Sequence, residues 1–296
     1  SPIVLSGATG SLGLLIAYQL RQRGASVRAL VRPGAAKAAE KESLRLQGAE
    51  VVAVDFHNTA ALQHACAGAS CVVSALSGLR DVIVDAQTQL LEAAVAAGVP
   101  RFIPSDFAID YTKLSEGSNR NLDLRREFGR RLDQAPIQAT SVLCGMFTDL
   151  LKGQAPVVLP ALRRVLYWGP ADQSLDFTTI QDTAAFTAAA ALDAATPRYL
   201  RVAGDVQTIR DLQAAATAVT RQQFRLLRAG GLAAFQRVIQ LTRALTPASD
   251  DVFPAWQGMQ YLHNMFTGLP KLTPLDNDRY PEIRWTKVCE VLARSL

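Results

Sequence analysis

Three glycines and an arginine near the start of the chain have types and spacing that could do chemistry. Gly7, Gly10 and Gly13 lie in Ser6-Gly7-Ala8-Thr9-Gly10-Ser11-Leu12-Gly13, spaced G-x-x-G-x-x-G. An apolar run at 2–5 precedes them, and residues 14–23 follow with helical character until Gly24. A strand, a tight turn and a helix in that order aim backbone N–H groups at one point, where the helix dipole favours an anion. Gly7 permits the sharp turn, Gly10 lets a pyrophosphate approach the backbone, and Gly13 lets helix and strand pack closely. The spacing departs from the commoner G-x-G-x-x-G, so the strand–turn–helix context carries the dinucleotide reading. The competing reading is a glycine-rich turn that binds nothing.

Arg32 ends the next strand, 26–31, nineteen positions after Gly13. An acidic residue at that place would accept a ribose 2′-hydroxyl, but no Asp or Glu lies between Gly7 and Glu40. Arginine there suits a 2′-phosphate through paired, charge-assisted hydrogen bonds, so the expected cofactor is NADP(H). Lys37 is a weaker helper or an ordinary surface lysine. Asp55 stands where an adenine amino group would lie, or is an ordinary turn aspartate.

The elements that must position these groups alternate. Strands are expected at 50–54, 71–75, 101–103 and 138–143. Helices are expected at 35–47, 62–67, 85–97 and 122–132, with a polar loop from 108 to about 119. This order implies an α/β fold with a Rossmann-type, doubly wound parallel sheet. The strands are near-continuous apolar runs, as a sheet covered on both faces requires. Ligands of such sheets sit at the C-terminal strand ends. The cofactor-binding candidates are therefore Gly7, Ala8, Thr9, Gly10, Ser11, Leu12, Gly13, Arg32, Lys37, Asp55, Phe56, Ala75, Leu76, Ser77, Pro104 and Ser105.

Beyond Gly145 the pattern loosens. Residues 177–183 read as a strand followed by a helix start, with Asp182 or Thr183 capping an alanine-rich helix over 184–192, and 199–202 is another strand. Further helices are expected at 208–220, 232–245, 253–267 and 285–295. The reading is a dinucleotide domain over 1–150, with a return over about 176–205. A smaller, mostly helical substrate part covers 151–296, its aromatic residues lining a pocket or packing a core.

Composition excludes several classes. Of the 296 residues, 49% are apolar and 19% charged, which is globular and not disordered. No apolar run reaches the length of a membrane span, and the chain opens on a strand and not on a signal peptide. Cys66, Cys71, Cys144 and Cys289 form no C-x-x-C pair, so they read as buried thiols in a reducing, cytoplasmic setting and not as a metal site. The net charge of +5 has its densest run at 120–131, at helical spacing. That reads as a solvated helix face and not a nucleic-acid surface.

Taken together, residues 6–13, Arg32-Pro33, Arg101-Phe102-Ile103-Pro104-Ser105-Asp106-Phe107 and Phe177-Thr178-Thr179-Ile180-Gln181-Asp182 resemble the NmrA-like and isoflavone-reductase-like group. These are atypical members of the short-chain dehydrogenase/reductase superfamily. Pro274-Leu275-Asp276-Asn277 extends the likeness thinly. The resemblance implies a Rossmann domain, a small C-terminal domain, NADP(H), and reduction of aromatic, plant-phenolic-like compounds. It also implies a second possibility, a cofactor-binding regulator without turnover.

The chain departs from the catalytic patterns this resemblance implies. No tyrosine has a lysine four residues later, so the Y-x-x-x-K pair is absent. Where the reductases carry a lysine on the helix after the P-S-[ED]-F loop, this chain has Arg125 or Arg126. Arginine stays protonated and serves better as a fixed charge than as a proton donor. Asp106, Tyr111 and Lys113 are the local candidates for a proton source. Ser105 shows no His/Asp partnership, which disfavours nucleophilic hydrolysis.

Two readings stay open. One is an NADP-dependent reductase of a small aromatic or conjugated carbonyl-type substrate. The other is an NADP(H)-binding redox sensor or regulator that acts on a protein partner. A sugar-nucleotide epimerase is the remainder, and it too would want the Tyr/Lys pair.

Overall fold

The computed structural model describes residues 1–246 and 250–295. The chain runs β1 (Ile3–Ser6), α1 (Ser11–Gln22), β2 (Val27–Val31), α2 (Ala38–Leu46), β3 (Glu50–Ala53), α3 (Thr59–Cys66), β4 (Cys71–Ser74), α4 (Gln87–Ala96), β5 (Arg101–Ile103), α5 (Arg120–Gln134), β6 (Gln138–Ala139) and β7 (Ser141–Leu143). It continues through β8 (Met146–Phe147), β9 (Val158–Leu159), β10 (Arg164–Trp168), β11 (Leu175–Thr178), α6 (Ile180–Leu192), β12 (Tyr199–Arg201), β13 (Asp205–Gln207), α7 (Ile209–Thr220), β14 (Arg225–Gly230), α8 (Leu232–Leu245), α9 (Ala255–Phe266) and α10 (Val288–Ala293).

Contacts divide the chain into two compact units. The first comprises Ser1–Phe107, Leu124–Val142 and Ile180–Leu200; the second comprises Ala108–Asp123, Leu143–Thr179 and Arg201–Leu296. The return into the first unit thus falls at Ile180–Leu200, and residues 108–123 join the second unit ahead of the boundary near 150 read from the sequence.

The first unit is built on a six-stranded sheet in the order β3-β2-β1-β4-β5-β6, every pair parallel. Its inner strands β1, β4 and β5 are buried along their whole length, as a sheet covered on both faces requires, while the edge strand β3 is partly exposed. On one face Val4, Val72, Leu90, Phe102, Phe128 and Leu132 form one buried cluster, bringing in α4 and α5. Outside that cluster α1 packs along α6 and on β1. The alanines of α6 are almost all buried, which lets its backbone approach α1 closely. Buried Arg101 on β5 donates to the carbonyls of Ala190 and Ala191 at 2.8 and 2.9 Å, covering the C-terminal carbonyls of α6.

Four expectations are corrected here. The helix expected over 85–97 begins earlier, as a π-helical turn over Asp81–Ala86 that runs into α4. The expected strand 138–143 is two strands, because at Ser141 the backbone N–H leaves the sheet to donate to the Arg198 carbonyl at 2.8 Å. The helix α6 starts at Ile180, so Asp182 and Thr183 both lie inside it and neither is the cap; the Asp182 carboxylate meets the positive helix end in the first turn. The loop after β5 is no polar surface loop at its start, since residues 104–111 are all buried.

The second unit carries two three-stranded sheets, β14-β10-β9 and β13-β11-β8. Its helices pack in pairs, α7 with α10 and α8 with α9. Trp168 of β10 stacks on Phe235 of α8 with ring centroids 4.5 Å apart. The sequence reading passes over β8 and β13, which have two and three residues, and over β14, whose six residues Arg225-Leu226-Leu227-Arg228-Ala229-Gly230 do not alternate.

Candidate functional site

The turn after β1 is shaped by what its glycines exclude. Gly7 has φ +71, and a Cβ there would sit 2.3 Å from the Ala75 carbonyl oxygen. A Cβ on Gly13 would sit 2.2 Å from the Gly7 carbonyl oxygen. Both positions need glycine, the first for its backbone angle and the second for the helix to close on the turn. Gly10 is different: it is exposed, and its Cβ would meet only the Gly7 oxygen, at 3.3 Å. α1 begins at Ser11 with no side-chain cap and no acidic residue in its first turn. Its positive end is therefore left to backbone N–H groups, the arrangement that accepts an anionic ligand.

Arg32 and the loop after it are exposed. Lys41, a buried residue of α2, donates its ammonium to the carbonyls of Arg32 at 3.0 Å and Gly34 at 2.7 Å. It holds the segment that carries Arg32. Lys37, the helper suggested by sequence, has φ 61 and pairs with Glu40 at 2.9 Å. Asp55 is exposed and accepts the His57 N–H at 3.0 Å, so it closes a turn. Phe56 is half-buried against the sheet's core cluster.

The remaining strand ends are tied to one another. The Ala75 N–H donates to the Ser6 carbonyl at 2.9 Å. Ser105 Oγ donates to the Leu76 carbonyl at 2.6 Å, and the Ser105 N–H donates to Gln87 Oε1 at 2.9 Å. Gln87 is fully buried and also donates to the Ile83 carbonyl at 2.9 Å. Pro104 is buried, and Ser77 is exposed beside half-buried Leu76. Ser6 and Ser74 are Cα partners at the ends of β1 and β4, and the buried hydroxyl of each has no protein partner.

The candidates for proton chemistry are not gathered in one unit. Asp106, Arg125 and Arg126 belong to the first, while Tyr111 and Lys113 belong to the second. Asp106 is fully buried and accepts from Ser141 Oγ at 2.7 Å. Ser141 Oγ in turn accepts from Arg198 Nη1 at 2.6 Å, and Arg198 Nε donates to Asp133 at 2.7 Å. Asp106 is thus the buried end of a chain of hydrogen bonds that reaches the surface at Asp133. Arg125 and Arg126 are half-buried on α5. The next residue, Glu127, takes both prongs of the Arg80 guanidinium, which holds its carboxyl below the usual range. Tyr111 is buried in a short turn, Tyr111–Lys113. Lys113 donates to the Lys271 carbonyl at 2.6 Å and lies 3.5 Å from Asp110.

Sequence reasoning missed Lys41, Gln87 and the Ser141–Arg198 link. Nothing local in the chain marks them; each acts on a residue 7 to 57 positions away. Among the described residues no group of three or more His, Cys, Asp or Glu could hold a metal ion. No helix among them is long and apolar enough to cross a membrane.

The glycine turn, the parallel sheet and the buried Pro104-Ser105-Asp106-Phe107 segment are matched by one family model, which spans residues 1–254. The chain belongs to the NmrA-like family. Within curated proteins this NmrA-like chain is 29% identical over 200 residues to the bifunctional pinoresinol-lariciresinol reductase of Linum album, covering 63% of the chain and 61% of that protein. It is 31% identical over 203 residues to the isoflavone reductase homolog IRL of Zea mays, covering 65% of each. The matches span under two thirds of either relative. The solved structure of AtPrR2 with NADP+ and (+)pinoresinol superposes with a TM-score of 0.86 at 22% identity, over 100% of this chain and 99% of that one. That likeness is one of fold.

Proposed function

We propose that this NmrA-like chain is an NADP(H)-dependent reductase of a small aromatic or conjugated carbonyl-type substrate. The observation that carries the reading is the turn at residues 7–13. It has no room for side chains at Gly7 and Gly13, leaves Gly10 exposed, and presents an uncapped helix start. Such a turn suits a pyrophosphate. Arg32, backed by Lys41, favours the 2′-phosphorylated dinucleotide over the unphosphorylated one. The names of the two curated relatives support a reductase, and the pinoresinol in the fold neighbour supports an aromatic ligand.

The nicotinamide, when bound, supplies the hydride. The backbone N–H groups of residues 11–13 would hold the pyrophosphate, and the Arg32 guanidinium would hold the 2′-phosphate. Arg125 or Arg126 contributes a fixed positive charge that polarises the substrate carbonyl. Asp106, sealed from solvent and bonded to Ser141, anchors the segment after β5.

One observation favours a second reading, a cofactor-binding sensor that acts on a protein partner. Positions 125 and 126 are both arginine, and arginine neither gives nor takes a proton near neutral pH. The experiment that separates the readings is calorimetry with NADPH and NADH, followed by an NADPH-consumption screen of aromatic aldehydes, enones and quinones. Tight NADPH binding with turnover supports the reductase. Tight binding with no turnover across the panel supports the sensor. Binding of neither nucleotide defeats both.

A further inference from the structure

We propose that Arg120, Arg243 and Trp256 form a binding site for an oxyanion, the carboxylate or phosphate group of a small ligand. All three residues belong to the second unit. Arg120 opens α5, Arg243 lies in the last turn of α8, and Trp256 is in the first turn of α9. The guanidinium carbon of Arg120 is 4.8 Å from the Trp256 ring centroid, and that of Arg243 is 5.0 Å from it. Each cation gains from the ring's quadrupole, but an aromatic ring carries no net charge and neutralises neither.

The positive charge at this place has one acidic neighbour among the described residues, Asp251, which opposes the lowering of the Arg120 guanidinium but makes no ion pair with it. Neither arginine makes an ion pair with a carboxylate there. Asp251 accepts the Phe253 N–H on its Oδ1 at 3.0 Å. Burial first and the nearby Arg243 charge second push the Arg120 guanidinium down from its ordinary value, more than Asp251 raises it.

The two arginines are held differently. Arg120 Nε donates to Asn121 Oδ1 at 3.0 Å, and its Nη2 donates to the carbonyls of Asp251 at 3.1 Å and Val252 at 2.8 Å. Its Nη1 stays available. Arg243 is exposed and donates to no described residue, so its whole planar fork is available. That fork matches a carboxylate or phosphate in a two-pronged fashion.

The mount beneath the arginines is rigid. Gln257 Nε2 donates to Asn119 Oδ1 at 3.2 Å, Asn119 Nδ2 donates to Asn264 Oδ1 at 3.2 Å, and the Arg120 N–H donates to Gln260 Oε1 at 3.3 Å. These buried amides join α9 to the start of α5 and fix Trp256 under both guanidinium groups. The site shares no residue with the 7–13 turn or with Arg32, so it does not depend on the nucleotide reading.

The test titrates the intact protein at low salt with inorganic phosphate and, separately, with benzoate. Heat and tryptophan fluorescence are followed together. Arg243→Met is the main variant, because Arg243 is exposed and carries no structural hydrogen bond. The expected result is saturable binding of at least one anion, weakened about tenfold or more by Arg243→Met, only partly by Arg243→Lys, and not by Arg32→Glu. Phosphate alone would name a phosphorylated ligand and benzoate alone a carboxylate one. No saturable binding of either anion, or binding that survives Arg243→Met, overturns the site.

Discussion

Gln87 and Ser105 are joined by a buried hydrogen bond, the Gln87 Oε1 accepting the Ser105 N–H at 2.9 Å. Gln87 follows the π-helical turn, and Ser105 follows β5. Through Ser105 Oγ the same tie reaches the Leu76 carbonyl after β4. One amide side chain thus sets the relation between two strand ends of the parallel sheet. Gln87→Leu leaves the Ser105 N–H buried without an acceptor, which costs about 1–3 kcal/mol. Urea unfolding should show that loss, with a weaker NADPH affinity beside it. A midpoint equal to wild type would mean that the tie contributes nothing.

The glycines of the turn should differ in tolerance. Gly13→Ala drives a Cβ to 2.2 Å from the Gly7 carbonyl, whereas Gly10→Ala meets the same atom at 3.3 Å. Forced overpacking against backbone costs about 1–3 kcal/mol, occasionally more. Gly13→Ala should therefore lower the melting temperature. Gly10→Ala should lower it less while weakening NADPH, because the added methyl narrows the turn proposed for the pyrophosphate. Equal melting temperatures for the two variants would contradict this division of roles.

Arg32→Glu should weaken NADPH by about tenfold or more and leave NADH little affected, since only the 2′-phosphate meets that charge. Lys41→Met should do the same more mildly, by releasing the carbonyls of Arg32 and Gly34. Equal losses for both nucleotides would remove Arg32 from the 2′-phosphate role. The measurement is calorimetry with each nucleotide.

Asp106 separates anchoring from proton transfer. Asp106→Asn keeps an acceptor for Ser141 Oγ and removes the acid. If Asp106 is an anchor, turnover and its pH profile should persist, while Asp106→Ala should cost about 1–3 kcal/mol through lost buried hydrogen bonding. Abolished turnover with full stability in Asp106→Asn would restore it as a proton donor.

The thiols give a pH-dependent signature. Burial pushes Cys66 up to about 11 and Cys71 up to about 12, from an ordinary value of 9.0. A folded value above the unfolded one stabilises the fold below pH 9 and loses that contribution as pH rises towards 11 and 12. Stability from urea titrations should therefore fall between pH 9 and 12. At pH 8 a thiol reagent should modify Cys289, which is exposed, and spare buried Cys66, Cys71 and Cys144 until the protein unfolds. Modification of all four in the native protein would refute this assignment of burial.

The sequence by itself determined the parallel sheet and its glycine turn, because both are written in local patterns. Apolar runs of strand length, glycines at three fixed offsets and an arginine at the end of β2 lie within the first 32 residues and act on near neighbours. The absence of any acidic residue before Glu40 was legible for the same reason. Only the tertiary structure decided what holds those pieces. Lys41 meets Arg32, Gln87 meets Ser105, and Ser141 joins Asp106 to Arg198, all through side chains of ordinary type. Burial of Asp106 and Tyr111 likewise depends on elements far along the chain. Strands β8, β13 and β14 of the second unit are set by their neighbours in the sheet, since the first two have two and three residues and the six of β14 do not alternate. Hydrogen-bond partners across tens of residues leave no periodic trace in a single sequence, so these ties become visible only when the chain is folded.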